Sequence, residues 1–457
     1  MFFLFPNLLS TSFFLAQVSP TTPPQPQEIV EPQEVRPLPG QLDNIPVFNS
    51  NSPELVVNEG ILLSTFPPNG KSSPSSHLNF PLQGRFDIFA HHVAKAPTPE
   101  DLRTLYLGII LHNRGQKPVT VNILQAASYL SQPDAPFIEL PPQVEDSQGK
   151  VYAGPGSRVM GEILRGERQA IFPRQIVIPA GESRMLVNLP IPVRELEPPL
   201  NGRSTYMRLH SDGTVYAASL AMFAPVDGAG KERAPILKEW ENLLEKGELV
   251  TPRDRAPTSP GASANIIYGR VAGVAQGSVW KAKLVDPTSL DLSIPSKGKA
   301  FSYGLSTLDG GRLGTEQVQS APMLVRYPDT AYKAQGNYGV QYSLTIPLRN
   351  PTSESQTVTG SLQTPIKQDQ LTGGLRFFDP PAQQVFFRGT VRVGYTNEQG
   401  VSQTRYFHLV QRRGQQGNPL LTTTIPPNDW RVVQLDFLYP PDATPPQVLT
   451  IHTKMID

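Results

Sequence analysis

Residues 105–124 read LYLGIILHNRGQKPVTVNIL, and residues 342–361 read YSLTIPLRNPTSESQTVTGS. Aligned without a gap, Leu107, Ile109, Leu111, Asn113, Thr120 and Val121 fall on Leu344, Ile346, Leu348, Asn350, Thr357 and Val358. Apolar residues at alternate positions mark strands with one buried face, because successive side chains of a strand point to opposite sides. Each copy is therefore a strand, a polar turn opened by asparagine, and a second strand. Further on, Ile178-Pro179-Ala180-Gly181 precedes an alternating strand (Met185, Val187, Leu189). In the same order, Ile425-Pro426-Pro427-Asn428 precedes Val433, Leu435 and Phe437. Two signals repeated in one order predict a duplicated β unit. The competing explanation is that immunoglobulin-like folds reuse this pattern independently.

Composition agrees with strands. The 457 residues include 49 prolines and 36 glycines, and only 17% are charged. Proline breaks helix interiors but sits comfortably in turns and at sheet edges. Further strand signals lie at Arg85–Ala90, Thr205–Leu209, Val215–Phe223, Val385–Tyr395 and Thr404–Val410. Ser211-Asp212-Gly213 reads as a hairpin turn between two of them. Two helices stand out. Pro235–Leu244 carries Ile236, Leu237, Trp240, Leu243 and Leu244 as a single stripe, and Arg158–Arg165 has Ser157 as N-cap and Gly166 as stop. The prediction is an all-β protein of two immunoglobulin-like β-sandwich domains, 46–226 and 263–457, related by duplication and joined by a short helical connector, 227–262.

Met1–Ala16 is apolar, uncharged and too short to span a bilayer as a helix. It reads as a signal peptide, 1–18, truncated at its start, followed by a proline-rich leader, 19–45. The mature chain, on this reading, is exported to the periplasm or beyond and carries no transmembrane segment. The absence of cysteine excludes disulfides, thiolate metal sites and a cysteine nucleophile. Forty basic residues against 39 acidic ones, with no long basic run, exclude a nucleic-acid footprint.

No catalytic or metal constellation emerges. His91 and His92 are adjacent and so face opposite sides of a strand; His77, His112, His210, His408 and His452 are scattered. Ser278-Val279-Trp280-Lys281 matches an S-x-x-K box but sits in strand-like sequence, and no K-T-G follows. Gly228-Ala229-Gly230-Lys231 lacks the strand and hydroxyl residue of a phosphate loop. Trp240 reads as helix core, whereas Trp280 and Trp430 are candidates for stacking on a sugar. The expected catalytic residues, metal ligands and cofactors are none. The unusual stretch is Ser131–Arg174, long and poor in strand signals. Arg158, Arg165, Arg168 and Arg174 in it are candidates for an anion or carboxylate contact surface. The plainer reading is a structural lid.

Several stretches carry a resemblance: RPLPGQLDNIPVFNSNSPE from Arg36, GRFDIFAHH from Gly84, QPDAPFIELPP from Gln132 and VYAGPGSRVM from Val151. To these add APMLVRYPDTAY from Ala321, HLVQRRGQQG from His408 and DFLYPPDATPPQVLT from Asp436. Over nearly the whole chain the sequence resembles a cyanobacterial exported family known as domain of unknown function 3370. The resemblance implies a cyanobacterial, exported protein and leaves its chemistry open.

The expected function is a non-enzymatic cell-envelope protein acting as scaffold, adhesin or assembly partner, with an envelope protein or polysaccharide as its partner. The alternatives are a carbohydrate-binding protein for envelope polysaccharide and a hydrolase whose site is assembled from distant residues. The export reading sets a first expectation. N-terminal sequencing of native protein should find the mature chain beginning between Ala16 and Pro23, and an intact cytosolic Met1 would sink it.

Overall fold

The computed structural model describes residues 25–261 and 266–455; the expected signal peptide, 1–18, lies outside them. The chain is mostly β, with 46% of residues in strands and 6% in helices. Its first strands are β1 (Gln27–Glu31), β2 (Glu34–Arg36), β3 (Gln41–Leu42), β4 (Pro46–Ser50), β5 (Leu55–Val56), β6 (Gly60–Ser64), β7 (Leu82–Lys95), β8 (Leu105–His112), β9 (Val119–Leu130) and β10 (Gln143–Glu145). Helix α1 (Pro155–Arg165) leads to β11 (Gln175–Ile178), β12 (Ser183–Ile191), β13 (Leu200–Phe223) and helix α2 (Leu237–Lys246). Next come β14 (Ala272–Gln276), β15 (Val279–Lys283), β16 (Leu292–Ser293), β17 (Ala300–Leu305), β18 (Ala321–Arg326), β19 (Lys333–Ala334) and β20 (Gln341–Arg349). The last are β21 (Gln356–Gln363), β22 (Leu375–Asp379), β23 (Val385–Thr396), β24 (Ser402–Arg412), β25 (Leu421–Ile425), β26 (Trp430–Leu438) and β27 (Gln447–Thr453).

In the first unit a layer ordered β11-β9-β13-β7-β4-β14-β18-β19 faces a second made of β12, β8, β13 and β6. Between them lie Phe86, Ile88, Leu107, Ile109, Val121, Val187 and Met207, all buried. Strand β13 belongs to both layers. Its first half pairs with β7 and β9, and its second half with β8 and β6. The hairpin expected at Ser211-Asp212-Gly213 is therefore a bulge within one long strand. Ser211 Oγ donates to Gly213 O at 2.6 Å, Asp212 Oδ1 accepts Thr120 N at 2.8 Å, and the register against β7 skips between Ser211 and Val215. Such bulges bend a strand, and here the bend carries it from one layer to the other.

The second unit stacks β10-β24-β23-β26-β20-β15-β3, with β16 beside β20, against β2-β17-β27-β21-β25. Leu344, Ile346, Leu348, Val391, Phe437 and Leu449 fill its core.

The two repeated sequence signals meet in space. Asn113 is fully buried, and its Nδ2 donates to Lys117 O at 2.7 Å, Ile178 O at 3.0 Å and Pro179 O at 3.2 Å. Asn350, also fully buried, donates to Glu354 O at 2.7 Å, Ile425 O at 2.9 Å and Pro426 O at 3.0 Å. The amide oxygens accept Gly115 N at 2.8 Å and Thr352 N at 3.0 Å. Each asparagine N–H reaches the matching turn as well, at Glu182 O (3.0 Å) and Asp429 O (2.9 Å). Gly181 and Asn428 hold the equivalent left-handed positions, at φ 72° and 58°. Glycine and asparagine are the residues that enter this region most readily. In both units one side chain thus ties the turn of the first strand pair to the turn that opens the fourth strand.

The units interlock instead of following one another. Residues 27–42, within the expected proline-rich leader, form β1, β2 and β3 and pair with β22, β17 and β15 of the second unit. Strands β14 and β18, expected in the second domain, extend the first unit's sheet through β4. Tyr327 donates to Ser76 O at 2.7 Å inside the first core. The reason lies in the backbone: β4 offers one free edge beside β7, and β14 satisfies it. The connector helix α2 also docks. Trp240 is fully buried over Gly108, where an added Cβ would meet the indole at 2.8 Å. Its Nε1 donates to Asn188 Oδ1 at 3.3 Å.

Replacing Asn113 or Asn350 by alanine should cost about 3 kcal/mol each in denaturant melts, since buried carbonyls lose their donor. Arg114→Ala, on an exposed neighbour, should stay within about 0.5 kcal/mol.

Candidate functional site

The Ser131–Arg174 stretch is a crossing from one unit to the other. Its strand β10 pairs antiparallel with β24 of the second unit, Val144 opposite His408. Helix α1 then lies in the seam. Val159, Met160, Ile163 and Leu164 pack with Phe89, Ala127 and Tyr206 of the first unit and Leu438 of the second. Gly156 and Gly161 permit the approach, since a Cβ on either would meet Pro441 at 2.2 Å or Thr390 Oγ1 at 3.1 Å. The helix begins earlier than expected, with Gly154 as N-cap; Ser157 Oγ instead donates backwards to Ala153 O at 2.7 Å. Gly166 ends it in the left-handed conformation, as expected.

Three of the four candidate arginines hold groups of this chain. The Arg158 guanidinium lies 3.7 Å above the Tyr129 ring and 4.5 Å from that of Tyr152, and donates to Asp134 O at 2.6 Å. Arg165 reaches the Asp146 carboxylate at 3.3 Å and Ser147 O at 3.2 Å, with Tyr406 of the second unit 3.9 Å beneath it. Arg168 donates to Phe172 O. Arg174 is exposed, and its side chain has no hydrogen bond or ion pair among the described residues. It stands at the head of β11, which among the described residues pairs with β9 alone and so leaves one backbone edge open. Nearby in sequence or in the paired strand, Ile171, Val177 and Leu124 are 62%, 49% and 50% exposed.

Four histidines bond to serines, a pattern that sequence spacing hides. The pairs are His92 Nε2 with Ser50 Oγ (2.9 Å), His77 Nδ1 with Ser64 Oγ (2.8 Å), His91 Nδ1 with Ser204 Oγ (2.7 Å) and His112 Nδ1 with Ser183 Oγ (3.1 Å). His91 adds an acid, with Glu54 Oε1 3.6 Å from its Nε2. All four serines are buried, and Ser204 is paired on both sides within β13. A nucleophile must meet a substrate carbon at a cleft; of the four pairs, His112 and Ser183 line an open pocket, beside Lys71, Glu241 and Glu245. No group of three or more histidine, aspartate or glutamate side chains among the described residues is placed to hold a metal ion. No described helix is long and apolar enough to cross a membrane.

A cleft of about 180 Å³ opens between the units. Asn49 and Asn51 of the first unit form one wall; Tyr338, Ala443 and Thr444 form the other, with Tyr268, Arg270 and Lys367 between. Asn49 and Asn51 are each only 3% exposed, yet neither amide oxygen has a hydrogen-bond partner. Arg270 is held by Glu54 and, at 3.8 Å, by Asp254; Lys367 is held by the Tyr268 hydroxyl. Sequence reasoning passed over these asparagines. The signal was the alternation Val47, Asn49, Asn51, which puts amides on the strand face that carries a buried valine. Of the tryptophans, Trp240 and Trp280 are buried and Trp430 is 56% exposed.

A family model described as "Protein of unknown function (DUF3370)" matches residues 33–453. No curated protein matches the sequence. Among solved structures, the coconut allergen cocosin is 11% identical, over 80% of this chain and 76% of that one, at a TM-score of 0.09. The 11S allergen of Cocos nucifera is 11% identical over 92% and 90%, at 0.10. Procruciferin, an 11S globulin of Brassica napus, is 10% identical over 90% and 85%, at 0.09. Scores this low mean that the backbones do not superpose.

Burial pushes His92 and His408 down to about 4, and His77 likewise. Above about pH 6.5 such rings are neutral in folded and unfolded chain alike. As pH falls, the unfolded chain takes up protons that the fold refuses, so stability is full above that value and is lost through pH 4. Neither ring nitrogen of the buried His408 has a partner. His408→Leu should therefore leave stability at pH 7 intact. Between pH 6 and 4, denaturant melts should show a slope shallower by up to about 1.4 kcal/mol per pH unit.

Proposed function

We propose, for a chain that belongs to the family described as "Protein of unknown function (DUF3370)", a role as a non-enzymatic assembly partner or scaffold of the cell envelope. One observation carries the reading: the open edge of β11, with the half-exposed Val177 in the strand and the exposed, unpaired Arg174 immediately before it. An exposed strand edge is a template for a partner's strand, and apolar side chains along it supply the burial. Arg174 would fix register by pairing with a partner carboxylate. The interlocked units make a rigid mount for such an edge. Export from a cyanobacterial cell is the matching compartment, suggested by the apolar start of the chain.

The fold that goes with this role is two immunoglobulin-like sandwiches produced by duplication. The matched hydrogen bonds of Asn113 and Asn350 support it, since independent use of a turn has no reason to reproduce three acceptors in one order. A second reading, carbohydrate binding, rests on the cleft lined by Tyr268 and Tyr338.

The assembly role is tested with a photo-crosslinking residue at Val177 in cyanobacterial cells that make the full chain. A discrete adduct with an envelope protein is expected, and it should fall severalfold when Arg174→Glu is added, with melting unchanged. Crosslinking no stronger than from the exposed turn position Gly400 would end the proposal.

A further inference from the structure

We infer that the outer face of the second unit's larger sheet binds a chain of acidic sugars. The starting point is Trp430, the one tryptophan that the fold leaves in water, 56% exposed. Among the described residues its indole N–H has no acceptor and its ring stacks on no other ring. A ring of that size is ordinarily well buried, so one that faces water offers a partner a large apolar surface with a polar tip.

Alternation along the strands shows what lies around it. Leu344, Ile346 and Leu348 of β20 point into the core, so Thr345 and Arg349 face outward. Val433 and Leu435 of β26 point inward, which turns Gln434 and Trp430 to the same outer face. Arg349 stands directly opposite Trp430 in the ladder. On β15, Trp280 and Ala282 are core residues, so Lys281 and Lys283 face outward, opposite Ser343 and Thr345. Arg349 and both lysines are exposed and have no ion pair among the described residues. At a rise of about 3.4 Å per residue these cations extend over about 20 Å along one side of the face. The one carboxylate in these strand rows, Asp436, is already held by Ser343 Oγ at 2.7 Å and Arg392 at 3.0 Å. The face therefore attracts anions.

The floor beside the cations is polar, uncharged and fixed. Thr345 Oγ1 donates to Gln434 Oε1 at 2.8 Å, and Gln434 Nε2 donates to Ser343 Oγ at 3.3 Å. Gly394 is the next neighbour across from Gln434. A Cβ there would make only ordinary contact, 3.5 Å from Gln434 Cβ, so its absence leaves a shallow dip in the face. A protein partner would need apolar area at the centre of the contact, and apart from the indole this floor supplies little. A nucleic acid calls for a denser positive footprint than three cations. An acidic glycan uses each feature: hydroxyls exchange hydrogen bonds with Thr345 and Gln434, a sugar ring lies on the indole, and acidic groups meet the lysines and Arg349. Helix α1 covers the other end of the sheet at Leu438 and Thr390, so this end is the open one. The face shares no residue with the β11 edge or the cleft, and the inference stands or falls apart from them.

The test titrates the full chain with alginate, dextran sulfate and uncharged dextran, read by calorimetry and by tryptophan emission. At least one acidic polymer should bind and change the emission, with uncharged dextran about tenfold weaker or more. Which of the two acidic polymers binds distinguishes carboxylate from sulfate. Affinity should fall severalfold between about 0.01 M and 0.1 M salt, as the Debye length shrinks from about 30 Å to about 10 Å. By calorimetry, Trp430→Ala should weaken binding about tenfold or more, and so should the triple variant Lys281→Gln/Lys283→Gln/Arg349→Gln. All four side chains are exposed, so melting should not move. The inference is overturned if neither acidic polymer binds, if dextran binds equally, or if the variants bind like wild type. Equal binding of oligothymidylate, with no dependence on Trp430, would mark a general attraction for polyanions and overturns it too.

Discussion

One buried amide in each unit sets how its strands are held. Asn113 and Asn350 are the points where the strand-pair turn and the turn before the fourth strand share hydrogen bonds. The carbonyls involved end β11 and β25 and sit next to the core, out of reach of the sheet ladders. Pro179 O and Pro426 O also accept the backbone N–H of Glu182 and Asp429, both at 3.2 Å, and the asparagine amide adds the donor that joins them to the first turn. Asparagine suits the position because one group supplies two N–H donors and, two atoms away, an acceptor for the following turn. An aspartate would repel all three carbonyls, and a leucine would remove the donor they share. Once these turns are joined, the alternating strands on either side have only one register that buries their apolar faces.

The same demand for paired backbone explains the interlock. A sheet that stops at β4 or at β15 leaves a row of unsatisfied groups next to a hydrophobic seam. The chain covers these rows with segments borrowed from the other unit: β14 beside β4, β3 beside β15, β10 beside β24. Helix α1 fills the gap that remains, with glycines at the two places where it touches Pro441 and Thr390. Separation of the units would break sheet hydrogen bonds as well as apolar contacts, so relative motion of the two is strongly opposed.

Charge in this seam serves the structure. Arg158 and Arg165 stack on tyrosines and bond to carbonyls. Guanidinium is the cation suited to this because it is weakly hydrated and presents flat faces to aromatic rings. Groups left without such partners then stand out. Among them are the amide oxygens of Asn49 and Asn51, both ring nitrogens of His408, and Arg174 at an open edge.

Class and local pattern were written in the sequence. The alternating strands around Asn113 and Asn350, the helix bearing Trp240, and the β class itself follow from periodicity and proline placement, which act over a few residues. Tertiary structure decided the rest. A turn signal at Ser211-Asp212-Gly213 became a bulge because β7 and β8 continued to offer partners on both sides of it. The leader became three strands because the second unit had edges to fill. Four arginines that read alike were divided between a seam and a surface by the position of α1. The asparagines of the cleft looked ordinary because lost hydrogen bonds are visible only when the opposite wall is in place. Periodicity records which side of a strand is buried, and it carries no information on which distant strand will lie against it.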